Sequence, residues 1–137
     1  MYRIKSIRTI YNNSTINPKL ESEEMKGKFS FSAETSVDKH VNKNDETNII
    51  LEIMVIFETS ILDQKEEEYV NCKCIYELLL EPNSDMLNSI DTQSEYLQNE
   101  SYRITEPYYR NVLENLLAQT AIPINVLPYQ FWIKDEE

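Results

Sequence analysis

Glycine is almost missing from this 137-residue chain: Gly27 is the only one. Phosphate-cradling loops and the dinucleotide-binding fingerprint need several glycines, so both are excluded. Turns must be built by Asn, Asp, Ser and Pro instead. Histidine is as scarce. His40 stands alone in the polar stretch Asp38–Glu46, which reads as a hairpin-like loop with no Cys or Ser motif beside it. A nucleophile–base pair therefore lacks its base, and a solvated histidine is expected. The two cysteines, Cys72 and Cys74, sit at i, i+2 on one strand face, too constrained for an ordinary disulfide with each other. With a single histidine available they cannot complete a zinc site within one chain. They read as buried, reduced thiols of a cytoplasmic protein.

Long apolar runs and positive charge are also in short supply. The longest strictly apolar run, Ile53–Phe57, is far below the roughly 20 residues of a membrane helix, so no membrane insertion is expected. Met1–Tyr11 alternates Arg and Lys with Ile and has no apolar core of the signal-peptide kind. Thirteen Lys and Arg against 24 Asp and Glu leave a formal net charge of −11, which the phosphates of nucleic acid and of anionic membranes would repel. Such a surface keeps a protein dispersed. So many carboxylates single out no acid–base pair. Glu52 and Glu58, on an otherwise apolar strand, are expected to point to a rim or to pair with Lys or Arg across a sheet. The sequence points to no enzyme, no cofactor and no metal.

What is present is a series of strands followed by helices. Tyr2–Tyr11 reads as a strand in which Ile4, Ile7 and Ile10 break strict alternation, by a bulge or a helical turn. Phe29–Val37 alternates cleanly, with Phe29, Phe31, Ala33, Thr35 and Val37 on one side. Thr47–Thr59 is the strongest strand: Ile49, Leu51, Ile53, Val55 and Phe57 form one face, and Ile50, Glu52, Met54, Ile56 and Glu58 the other. In Tyr69–Leu80, the residues Val70, Cys72, Cys74, Tyr76 and Leu78 alternate with Tyr69, Asn71, Lys73 and Ile75. Ile61–Glu68 reads as a charged turn between these strands. Met86, Leu87 and Ile90 have helical spacing, and Tyr96 and Leu97 suggest another short helix. A helix from about Glu106 to Thr120 then carries Tyr109, Val112, Leu113, Leu116 and Leu117 as one stripe. Thr105 and Glu106 read as its start, with Pro107 in the first turn.

Strands followed by helices imply an α+β domain spanning residues 1–137, an antiparallel sheet covered on one face by C-terminal helices; the family resemblance carried by Pro107, Tyr108, Arg110, Pro123 and Pro128, set out below, implies that this sheet is four-stranded. The apolar residues of the other face need a cover, and a second copy of the chain is the economical one. Ile50, Met54, Ile56, Tyr69 and Ile75 are the expected interface residues of that homo-oligomer.

The run Glu106–Trp132 resembles SecB-type export chaperones. Pro107, Tyr108 and Arg110 match that family's Pro-Tyr-x-Arg helix start. Ile122-Pro123 and Pro128-Tyr129-Gln130-Phe131 match its Phe-Pro-x-x-x-x-x-Pro-x-x-Phe element, with Ile in place of the first Phe. The resemblance implies an acidic cytoplasmic holdase, assembled as a dimer or a dimer of dimers (a homotetramer). Such a holdase grips unfolded or pre-secretory polypeptide in hydrophobic grooves without ATP and works with a translocase motor in protein export. Tyr129, Phe131 and Trp132 are then the expected client-binding residues. Two departures point to a divergent branch. The family's long second helix is expected to be absent or a stub, because the sequence ends at Glu137. Ala118-Gln119-Thr120 stands where the family has a glycine-rich turn. The alternative expectation is a non-catalytic module of the same fold dedicated to one partner, such as an antitoxin.

Overall fold

The computed structural model describes residues 2–17, 28–42, 45–62, 66–83 and 95–120. Four strands, β1 (Tyr2–Ile16), β2 (Lys28–Asn42), β3 (Asp45–Leu62) and β4 (Glu68–Pro82), precede one helix, α1 (Glu95–Leu117). The strands form one antiparallel sheet in the order β1-β4-β3-β2. β3 and β4 hold the centre, and between β1 and β2 the chain passes from one edge to the other. The helix packs on one face, against β3, β4 and β2. This is the α+β architecture expected from strands followed by a helix.

The core lies between α1 and the central strands. Ile53, Val55, Phe57 and Ile61 of β3, and Val70, Cys72, Cys74, Leu78 and Leu80 of β4, are fully buried. Their alternation is the period-2 pattern of a strand with one face on a core. Each such side chain contributes roughly 1.5–3 kcal/mol of burial. The other face of β3 is half-buried throughout, from Ile50 to Leu62.

Several boundaries differ from the expectation. Asp38–Asn42 continues β2, with Asp38 paired to Glu52 and His40 to Ile50, so these residues of the expected hairpin-like loop are strand. Ile61 and Leu62, assigned to a charged turn by composition, complete β3. β1 likewise runs on through Asn12, Asn13, Ser14 and Thr15 to Ile16. Polar residues stay in these edge strands because the ladder is supplied by the neighbour while the side chains face water. The expected irregularity in β1 is present as two register shifts, at Ile4/Ser6 and Thr9/Tyr11, which bend the strand as bulges do. In the β3–β4 turn Glu66 takes a positive φ of 63°, a conformation that glycine would adopt at lower cost.

The helix differs most. It begins at Glu95 and carries Pro107 in its interior, so Thr105 and Glu106 are not its start. Leu97, Ser101, Thr105, Tyr109, Leu113 and Leu117 recur every four residues and all are buried. Ser101 and Thr105 interrupt the apolar pattern in sequence. In the fold their hydroxyls donate to the carbonyls of Leu97 and Ser101, each at 2.7 Å, which allows burial without loss of hydrogen bonding. Pro107 lacks the N–H that would reach the Arg103 carbonyl, a defect of about 3 kcal/mol in an isolated helix. Packing on the sheet overrides it. Arg110 bridges back across the proline to Glu106 at 2.7 Å, with both side chains largely buried. The helix ends without glycine: Gln119 and Thr120 donate backbone N–H groups to the carbonyls of Leu116 and Leu117, and the Thr120 hydroxyl adds a bond to Leu117 at 2.7 Å. The spacing of Met86, Leu87 and Ile90 lies outside the described residues.

Candidate functional site

An aromatic cluster seats the helix. Phe57 stacks on Tyr109 with ring centroids 5.0 Å apart and meets Tyr76 edge-on at 6.2 Å and Tyr102 at 5.9 Å. The Tyr109 hydroxyl hydrogen-bonds to Thr59 and to the carbonyl of Cys72. Burial pushes the Tyr109 and Tyr76 phenols far above their ordinary range, so both stay neutral. Cys72 and Cys74 lie beneath, both reduced and buried. A hydrogen bond from Cys74 favours ionisation at Cys72, and the same contact with burial pushes Cys74 up. Their lack of exposure removes them from external chemistry.

Because α1 sits over the middle of the sheet, the helix-side rows of both edge strands are only partly covered. The β2 row consists of Phe29, Phe31, Ala33, Thr35 and Val37, all half-buried, with Phe29 and Phe31 stacked at 6.0 Å. Tyr102 borders this row, where its hydroxyl contacts Thr35 and accepts from Gln98 at 3.3 Å. β2 is an edge strand with a regular ladder from Lys28 to Val41, so its outer N–H and C=O groups form an unbroken row. An apolar shelf beside a regular strand edge suits an extended polypeptide: the edge offers main-chain pairing and the shelf takes alternate side chains.

The β1 flank is different. After Ile7 its helix-side row turns polar, through Thr9, Asn12 and Ser14. A clasp ties its start to the helix: the Tyr2 hydroxyl donates to Glu100 at 2.6 Å, and Arg103 pairs with the same carboxylate at 2.6 Å. Hydrogen bonding from Arg103, then from Tyr2, holds the Glu100 carboxyl below its ordinary value, and burial with the Glu100 contact raises Tyr2. Tyr108, 52 % exposed, overhangs this side with its ring 6.5 Å from Tyr76.

The sheet face away from α1 is ordered in rows across all four strands. Tyr11, Ile75, Ile56 and Glu34 make one row, and Arg8, Glu77, Met54 and Ser36 the next. Asn13, Lys73, Glu58 and Ser32 lie on one side of these rows, and Ser6, Leu79, Glu52 and Asp38 on the other. Several carboxylates are partnered: Glu77 by Arg8 at 2.9 Å, Glu81 by Arg3 at 2.7 Å, and Glu52 by the His40 ring nitrogen at 2.9 Å. Asn71 donates to Glu58 at 3.2 Å. His40 thus belongs to a strand and not to a loop, with an exposed side chain and a carboxylate partner.

Of the expected interface residues, Ile50, Met54, Ile56 and Ile75 are half-buried on this face, which no described element covers and which is the open face in that sense. Tyr69 is not there. It is 1 % exposed and part of the single-chain core, because the ladder shifts between Ile61 and Leu62 and both Tyr69 and Val70 become buried. The expected client-binding residues Tyr129, Phe131 and Trp132 lie outside the described residues. Sequence reading passed over the role of the β2 shelf, and of Tyr11 and Leu79 on the open face. The alternation of Phe29–Val37 was visible, but its place at an edge was not. Among the described residues no three His, Cys, Asp or Glu side chains cluster as metal ligands, and no helix is long and apolar enough to cross a membrane.

No protein-family model matches the chain, and no curated protein matches it by sequence. Among solved structures it is similar to the Mycobacterium tuberculosis SecB-like chaperone Rv1957, determined in complex with a ChAD peptide from the Rv1956 HigA1 antitoxin. The TM-score is 0.59 at 14 % identity, over 93 % of this chain and 88 % of that one. At this identity the likeness is one of fold.

Proposed function

We propose that this protein is an ATP-independent holdase that binds unfolded or pre-secretory polypeptide. The observation that supports the proposal is the half-buried row Phe29, Phe31, Ala33 and Val37 alongside the outer edge of β2, which no other described strand pairs, in a sheet of SecB-like fold. Main-chain pairing along β2 is sequence-tolerant, and the shelf takes apolar side chains of many kinds. Many weak contacts along one extended client add by multivalency, so no hydrolytic cycle is needed for capture. The same proposal keeps Tyr129, Phe131 and Trp132 as client-binding residues, on the sequence resemblance alone. An acidic homo-oligomer, a cytoplasmic location and delivery to a translocase motor complete it.

A second reading has one observation in its favour. The structurally similar chaperone was captured with a peptide from an antitoxin, so a fold of this kind can serve a dedicated client. Suppression of aggregation separates the two readings. The purified protein is added to several unrelated, chemically unfolded proteins during dilution into buffer. Protection of most of them supports the general holdase. Protection of none, together with tight binding of a single antitoxin-like segment, supports the dedicated module. Failure to bind any non-native polypeptide overturns both.

A further inference from the structure

We infer that Cys72 and Cys74 form a two-thiolate site for a soft monovalent cation, Cu(I), where β4 meets β1 beneath α1. The inference stands apart from client binding, which uses the β2 edge on the far side of the sheet.

Spacing selects a bridging ion over a disulfide. Side chains at i and i+2 share a strand face, with Cβ atoms roughly 6.6 Å apart. A disulfide needs about 3.5–4.5 Å, so the pair cannot close an S–S bond. The two thiols nonetheless turn towards each other and share a hydrogen bond, so a single ion can span them. Zinc in a structural site takes four ligands, and no third His, Cys, Asp or Glu joins the pair among the described residues. Thiolates are soft ligands that select Cu(I), a closed-shell ion satisfied by two of them in line.

The surroundings suit an anionic centre. Ser14 lies opposite Cys72 in the ladder, and Asn12 opposite Cys74. The Ser14 hydroxyl is 3.5 Å from the Cys72 sulfur, and the Cys74 thiol donates to Asn12 Oδ1 at 3.6 Å. A purely apolar core would meet these positions with aliphatic side chains. Next on the same face, the Tyr76 hydroxyl stands beside the Cys74 thiol. Tyr76 is 1 % exposed, and its hydroxyl makes no hydrogen bond among the described residues. A buried donor of this kind calls for an acceptor, and a neighbouring thiolate is one.

Binding exchanges protons and transfers no electrons. Two S–H bonds break, two S–Cu bonds form, and two protons leave to solvent. The site passes from neutral to a single negative charge. The Tyr76 and Ser14 hydroxyls then donate to the sulfurs, and the Asn12 amide, turned over, offers its N–H in place of its oxygen. Burial keeps bulky reagents from the thiols, but a bare ion needs less room. The Asn12 and Ser14 side chains that cover the sulfurs belong to the outermost described strand on that side and are exposed.

The test supplies Cu(I) to the reduced full chain without oxygen, in competition with a chromophoric Cu(I) chelator. The wild type should take up one ion per chain, release two protons and keep its circular dichroism. X-ray absorption at the copper edge should find two sulfur neighbours. Cys72→Ser and Cys74→Ser should each lose the uptake. Tyr76→Phe keeps both thiols and the ring, so it should fold like the wild type and bind Cu(I) about 10-fold or more weakly. His40→Gln, on the opposite sheet face, should leave uptake unchanged. Wild-type uptake no stronger than that of the cysteine variants overturns the inference, as does nitrogen or a third sulfur at the copper. Uptake accompanied by loss of the native dichroism also overturns it, because the thiols would then have been exposed by unfolding. Should a cysteine variant fail to fold, the absorption spectrum and Tyr76→Phe decide, and an unchanged affinity in Tyr76→Phe refutes the site.

Discussion

The hydroxyl of Tyr109, at the middle of α1, lies 2.6 Å from the hydroxyl of Thr59 in β3, and both groups are fully buried. The same phenol reaches the carbonyl of Cys72 at 2.9 Å, so one side chain ties the helix to both central strands. It fixes where α1 lies across the sheet, and hence which rows the helix covers only in part.

Tyr109→Phe should therefore lower stability by about 1–3 kcal/mol, since it keeps the ring and leaves buried polar groups with one bond fewer. Thr59→Val alone should cost a similar amount. The double variant should cost less than the sum of the two, because removing both partners leaves neither hydroxyl orphaned. Urea denaturation of the four proteins checks the cycle, and strict additivity would mean that the contact is not energetically coupled.

Leu113 and Leu116 are both buried, at 1 % and 8 % exposure. Truncating either to alanine should destabilise by roughly 2–5 kcal/mol, with Leu113→Ala towards the upper end because its site is closed on all sides. Unfolding midpoints that match the wild type for both variants would remove this stripe from the core.

The clasp at the start of β1 makes stability depend on acid. Glu100 titrates below its ordinary value of 4.5, chiefly through hydrogen bonding from Arg103 and then from Tyr2. A folded-state value below the unfolded one means that the contribution is fully present above pH 4.5 and is lost as pH falls through the folded value. The thermal midpoint of Glu100→Gln should therefore lie below that of the wild type at pH 7, and the difference should shrink below about pH 4.5. A difference independent of pH would show that the carboxylate charge is not the source of the stabilisation.

Trp132 is the only tryptophan, which makes it a reporter for the proposed client surface. Its fluorescence should change on addition of a reduced, unfolded polypeptide and not on addition of the same protein folded. Trp132→Ala should weaken suppression of aggregation several-fold with little change in the unfolding midpoint. Loss of stability with unchanged client binding would assign Trp132 to packing instead.

Periodicity in the sequence carried the architecture a long way. The alternation in β3 and β4 identified the buried face through Ile53, Val55, Phe57, Cys72 and Leu78. The 3.6-residue stripe from Tyr109 to Leu117 identified the face of α1 that meets them. These patterns are legible because a side chain's face follows from its position within one element. The same rule located the open face through Ile50, Met54, Ile56 and Ile75.

Tertiary structure decided what depends on neighbours in space. Pro107, a start signal by local rules, sits inside α1 because packing of Tyr109, Leu113 and Leu97 outweighs one lost backbone bond. Ser101 and Thr105 look polar in sequence and are buried, since each hydroxyl finds a carbonyl one turn back. Tyr69 belongs to one face by counting and to the core in the fold, because a register shift in the ladder changes the parity. Above all, the sequence by itself could not say that β2 is an edge. Strand order is set by pairing between distant segments, and it is that order which puts Phe29, Phe31, Ala33 and Val37 on the outermost of the described strands.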